Sequence, residues 1–103
     1  MTTIQLNFRR VAGFEDRYIV SDHGEVFSLR RGRLLKPYIH PQVGHVYVQF
    51  NWNGKSRYFR VSDLVIKAFV SHKVKKVRHK DGNKTNNHLS NLEIIYEMEN
   101  NVR

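Results

Sequence analysis

The 103-residue chain reads as an α+β domain, mostly short strands with a helix set among them. Three features predict this class. Residues 45–61 alternate apolar and polar side chains around Asn53-Gly54, the pattern of a hairpin. Ser62–Val70 then changes to helical spacing. Beyond a basic linker, apolar runs at Val77–His79 and Leu92–Tyr96 bracket a polar loop rich in asparagine, and a final helix is expected from about Glu97.

The elements follow in chain order. Tyr18-Ile19-Val20 and Val26-Phe27-Ser28-Leu29 are β-rich runs separated by Asp22-His23-Gly24, a favourable turn sequence. Leu34–Ile39 is a further strand candidate, which Pro37 directs to a sheet edge because proline has no N–H for the ladder. In the hairpin, His45–Trp52 pairs with Ser56–Val61, and Asn53-Gly54 suits a type I′ turn. Both hairpin faces carry large side chains, so one can pack on the core while the other meets a partner. Ser62 is placed to cap the helix, Asp63 complements its N-terminal dipole, and Leu64, Val65, Ala68 and Phe69 fall on one face. Ser71–Lys76 is a basic linker. No internal repeat, low-complexity tract or long linker divides the chain, whose length suits one compact domain.

Composition narrows the partner. Eighteen Lys and Arg against 9 Asp and Glu give a formal charge of +9 and a pI near 10.2. Such a chain is drawn to polyanions, since basic side chains release the counterions condensed on nucleic acid. Anionic membranes and ribosomal surfaces offer similar charge, but no apolar run approaches the roughly 20 residues of a membrane span, and no signal-peptide pattern precedes the first strand. The absence of cysteine excludes disulfides and thiolate zinc sites, and is compatible with a cytoplasmic location.

The basic residues fall in three clusters: Arg30, Arg31, Arg33 and Lys36; Lys55, Arg57 and Arg60; Lys73, Lys75, Lys76, Lys80 and Lys84. They suit phosphate contact and carry no sequence readout by themselves. Tyr47, Trp52, Tyr58 and Phe59 interleave with the second cluster; alternation assigns about half of them to the core and leaves the rest for base stacking.

The order His79-Lys80-Asp81-Gly82-Asn83 followed by Asn91-Leu92-Glu93 resembles the core of the HNH (ββα-metal) nucleases. Upstream, Val11-Ala12-Gly13-Phe14-Glu15, Tyr18–Leu29 and Leu35-Lys36-Pro37 resemble the NUMOD4 module that often precedes such nucleases in phages and mobile introns. The likeness runs from about Val11 to Asn101. It implies a NUMOD4-like β-rich module with its linking helix over 1–70, running into a ββα HNH core over 71–103. The implied activity is DNA phosphodiester hydrolysis by a homing-type endonuclease, nicking one strand because one chain carries one site. The resemblance implies His79 as general base, a role suited to a neutral imidazole near pH 7. Asn91 would brace the loop by side-chain bonds to backbone, and Asn100 would offer a metal ligand for Mg²⁺ or Mn²⁺. Asn86 and Asn87 are assigned turn and capping bonds and no chemistry, Asp81 a tight turn, and His23, His40, His45, His72 and His88 surface or loop positions.

The chain departs from the pattern at one position. Family members usually carry Asp or Asn immediately before the histidine, where a divalent cation is held; here that residue is Arg78. A guanidinium there opposes cation entry by about 4 kcal/mol at a separation of about 4 Å and an effective dielectric of about 20. Three outcomes are open: Arg78 grips the scissile phosphate in place of the cation; it swings outward and metal binds through other groups; or the site is catalytically degenerate and the scaffold serves as a DNA-binding or partner-binding module. A third class, an RNA- or ribosome-binding β domain, rests on charge alone. DNA is the expected partner, without membrane, and dimerisation or a larger nucleoprotein complex is the expected route to sequence preference.

Overall fold

The computed structural model describes residues 6–96, so Asn100 and the helix expected from Glu97 lie outside the described residues. Within them, β1 (Phe8–Arg10), β2 (Tyr18–Ser21), β3 (Val26–Ser28) and β4 (Arg33–Leu34) form one antiparallel sheet in that order. A second antiparallel sheet holds β5 (Tyr38–Ile39), β6 (Val46–Trp52) and β7 (Lys55–Arg60). Helix α1 (Val61–Phe69) leads to a two-stranded unit, β8 (Val77–His79) with β9 (Leu92–Ile94), whose connecting loop ends in a 3₁₀ turn at Leu89–Asn91. The architecture is α+β.

Several elements differ from the sequence expectation. Leu34–Ile39 is not one strand but two, in different sheets: Leu34 pairs with Phe27, and Tyr38 pairs with Tyr47. Pro37 interrupts the ladder between them because it has no N–H to give. Strand β1 carries no apolar alternation, since all three of its residues are exposed, and only pairing with β2 defines it. Ser62 does not cap the helix. Arg60 takes the cap position with extended backbone and no side-chain cap bond, while Ser62 turns inward and its buried Oγ has no partner among the described residues. Ile66 joins Leu64 and Val65 on the buried face. The last strand stops at Ile94, although the Ile95 N–H still reaches the Lys76 carbonyl at 3.0 Å.

The hairpin turn has Asn53 at φ 50° and Gly54 at φ 74°, the two left-handed residues of a type I′ turn. Its inward side chains Val48 and Phe50 join Val20, Val61, Val65 and Ile66 in the core. Phe14 meets Phe50, Trp52 and Phe59 edge-on at 5.0, 5.0 and 5.6 Å, and Tyr18 stacks on Phe50 at 3.8 Å. The Tyr18 hydroxyl accepts the Asn51 N–H (2.9 Å) and donates to the Asn51 carbonyl (3.2 Å), joining the two larger sheets. Helix α1 packs against β1, β2, β6 and β7 and also against β8, β9 and the 3₁₀ turn. Leu92 therefore belongs to the same core as Val20 and Phe50.

Candidate active site and nucleic-acid interface

Strand alternation separates neighbours at the end of β8. Arg78 faces solvent, and His79 faces inward at 7% exposure. The loop that follows folds back through a set of short polar bonds. Asp81 Oδ1 accepts the Asn83 N–H (2.8 Å) and Asn91 Nδ2 (2.9 Å), and its Oδ2 accepts Asn86 Nδ2 (2.9 Å). Asn91 also donates to the Asn86 carbonyl (2.8 Å), and its Oδ1 accepts the Asp81 N–H (3.1 Å). The bonds from Asn86, from the Asn83 backbone and from Asn91 hold the Asp81 carboxyl below its ordinary pKa. Asn91 lies buried at the centre of this loop.

That closure carries Asn87 onto His79. Asn87 Oδ1 stands 2.7 Å from His79 Nε2, and both side chains are buried. An amide oxygen accepts, so in the neutral ring this contact selects the tautomer with the proton on Nε2 and the lone pair on Nδ1. Asn87 is pressed from behind by Gly24: a Cβ there would stand 3.0 Å from Asn87 Cβ and 3.2 Å from its carbonyl oxygen. The Leu89 N–H donates to the Asp22 carbonyl at 2.7 Å, fastening the loop to the end of β2. Asn87 had no chemical assignment from sequence. Its place over His79 follows from the closure of the loop between β8 and β9, where His79 pairs with Leu92.

A second histidine reaches the same place. The His45 ring lies 5.7 Å from the His79 ring, and His45 Nδ1 is buried without a partner among the described residues. Burial first, then Arg60, Lys84 and His79, lower the His45 pKa from its ordinary value. Lys84 donates its ammonium to the Val43 carbonyl (2.8 Å) while its stem lies against Gly44, so it staples the loop before β6 to the loop after His79. His23 is likewise engaged, its ring edge-on to His88 at 4.4 Å, and His40 Nδ1 accepts the Gln42 N–H.

Arg78 is paired. Its Nε (3.2 Å) and Nη2 (2.7 Å) both donate to Oε1 of Glu93, directly across the two-stranded sheet, and this holds the Glu93 carboxyl below its usual range. Among the described residues no three His, Asp or Glu side chains are grouped to hold a cation. Both Asp81 oxygens are committed within its loop, and Oε1 of Glu93 is taken by Arg78. The described donors therefore do not fit a divalent cation.

The basic clusters border this site and the sheets. Arg30, Arg31, Arg33 and Lys36 are exposed. Arg30 and Arg31 line a notch of about 110 Å³ with Arg17, Tyr18, Ser28 and Asn51. Lys55 and Arg57 are exposed on the hairpin, Arg57 over the Phe59 ring at 5.4 Å, and Lys76 and Lys80 are exposed beside β8. Of the four hairpin aromatics, Trp52 and Phe59 pack inward on Phe14. Tyr47 and Tyr58 occupy the opposite face with Tyr38, and Arg60 lies over the Tyr47 ring at 5.8 Å.

The fold resembles that of a solved HNH homing endonuclease. The NUMOD4 motif matches residues 7–51. The DNA endonuclease I-HmuI of Bacillus phage SP01 is 36% identical over 92 residues, covering 87% of this chain and 52% of the relative. An uncharacterised HNH endonuclease of Acanthamoeba polyphaga mimivirus is 35% identical over 92 residues, covering 86% of this chain and 23% of the relative. The solved structure described as DNA binding and cleavage by the HNH homing endonuclease I-HmuI matches with a TM-score of 0.79 at 35% identity, covering 86% of this chain and 52% of that one. The chain carries the NUMOD4 motif and, over most of its length, is similar to HNH endonucleases. It spans about half the length of its phage SP01 relative and about a quarter of the mimivirus one.

Proposed function

We propose that this chain hydrolyses DNA phosphodiester bonds, nicking one strand, with His79 as the general base. The observation that carries the reading is the buried Asn87–His79 bond, which leaves one imidazole lone pair at Nδ1 in a relative of DNA endonucleases. Nδ1 takes a proton from the attacking water, the new P–O bond forms, and the 3′ or 5′ oxygen leaves with its electron pair. Asn91 keeps the loop closed so that Asn87 stays in reach of the ring. The division into a NUMOD4-like module over 1–70 and an HNH core over 71–103 is part of this proposal, with the shared α1 core supporting their action as one unit. DNA is the partner, met through the exposed basic residues; a homodimer or larger nucleoprotein complex would supply a second site, in the cytoplasm of the host cell.

Mg²⁺ or Mn²⁺ is the cofactor the family resemblance implies, and Asn100, its candidate ligand, lies outside the described residues. Arg78 gives its Nε–H and one Nη2–H to Glu93, so a phosphate would meet its remaining N–H groups or displace Glu93. That pair is also the observation favouring a second reading, a catalytically degenerate HNH protein that binds DNA or a partner.

The deciding experiment is supercoiled-plasmid relaxation with Mg²⁺, with Mn²⁺ and with EDTA, beside His79→Ala. Nicking lost in His79→Ala, with DNA binding retained, supports the base. Equal nicking by the variant removes His79 from the chemistry. No nicking under any condition, with salt-sensitive DNA binding intact, selects the degenerate reading.

A further inference from the structure

We infer that His45, with Arg60 and Lys84, forms an anion site for a phosphate group beside His79, built from the N-terminal module and not from the HNH loop alone. Three observations converge. His45 Nδ1 is buried and unpartnered, beside a histidine whose Nε2 is already bonded to Asn87. A buried polar nitrogen left without a partner is costly, and such groups persist where a ligand completes them. The charged and titratable groups that act on His45 are Arg60, Lys84 and His79, and no carboxylate is among them. That field disfavours a proton or a cation at His45 and favours an anion, to which the imidazole N–H, the guanidinium and the ammonium can all donate.

The position is also held. Lys84 is fixed by its bond to Val43, two residues before His45, and the His45 carbonyl accepts the His40 N–H at 3.0 Å. Arg60 lies over Tyr47 on the facing strand, directly paired with it in register. The site so formed answers a question raised by Arg78. With that guanidinium turned to Glu93, the positive charge available on the His79 side comes from Arg60 and Lys84, with His45 adding a neutral imidazole N–H. The ligand class is a phosphodiester or free phosphate. Under the proposed nuclease function, on which its use as a scissile-phosphate holder rests, His45 and Arg60 would stabilise charge developing on the phosphoryl oxygens.

The test is an imidazole ¹⁵N NMR titration of the intact chain with inorganic phosphate, at a pH where His45 is neutral, run beside single-turnover plasmid nicking. We expect the His45 ring signals to move saturably with phosphate and to stop responding in Arg60→Gln. We expect His45→Ala to nick about tenfold or more slowly than the parent, with part of the loss recovered in His45→Gln, which keeps an N–H donor. Far-UV circular dichroism verifies that each variant is folded. His45 signals that stay still while the exposed Arg and Lys respond would overturn the anion site, whatever the nicking result. A parent that binds phosphate at His45 but never nicks keeps the site and removes the nuclease reading. A parent that nicks with silent His45 signals does the reverse.

Discussion

Removing the Asn87 amide is the sharpest test of how the candidate base is held. His79 and Asn87 are 7% and 6% exposed and 2.7 Å apart, so water cannot replace the lost acceptor cheaply. Asn87→Ala strands a buried imidazole N–H, at a cost of about 1–3 kcal/mol. A domain of this size holds roughly 5–15 kcal/mol in total. At about 4–8 °C per kcal/mol for chains near this length, the melting temperature should fall by roughly 4–24 °C. The same change frees the ring to populate both neutral tautomers, where the parent should hold Nε2–H alone. Thermal melting and ¹⁵N imidazole spectra read both effects. If the base assignment is right, nicking falls by about tenfold or more while duplex affinity stays within about twofold. A variant that melts within about 2 °C of the parent, or a parent whose proton sits on Nδ1, would refute the reasoning.

Gly24→Ala should destabilise the fold, because its φ of +88° is strained for an L side chain and its new Cβ would press on Asn87; a loss of about 1–2 kcal/mol or more in urea melts is expected, and none would show that the loop yields freely. The Asp81 carboxyl, held below its ordinary 3.8, contributes stability that is present above that pH and is lost as pH falls through the folded value. Asp81→Asn should therefore flatten the acid limb of the stability curve, measured by denaturant melts from pH 6 downward. His45 has the same sign for a different reason: its folded pKa lies below 6.5, so the unfolded chain takes the proton first and stability falls as pH drops below 6.5. His45→Ala should remove that part of the slope, and an unchanged slope would show that burial does not suppress its charging. Arg78→Asp places a second carboxylate opposite Glu93, so Mn²⁺ or Mg²⁺ should raise the variant's melting temperature where the parent does not respond; equal responses would show that Arg78 is not what keeps the cation out.

Features governed by short-range chemistry were legible in the sequence alone. The Asn53-Gly54 hairpin, the α1 pattern and the Val77–His79 strand each depend on turn residues or on periodicity within about ten positions. The motif also singled out His79 and Asn91, though their roles stand as proposals. Long-range contact decided the rest. Strand β1 exists because β2 pairs with it, and no pattern in Phe8–Arg10 announces that. Ser62 has the chemistry of a cap, yet packing turns it inward and leaves the cap to Arg60, because local propensity yields to burial. Asn87 reaches His79 only once the loop closes on Asp81, and His45 only once the second sheet packs beside that loop. Arg78 is the clearest division: the sequence determined that a positive charge replaces the expected acid, but the cross-strand register with Glu93 decided that this charge is neutralised in place, a pairing between residues fifteen apart that no local pattern encodes.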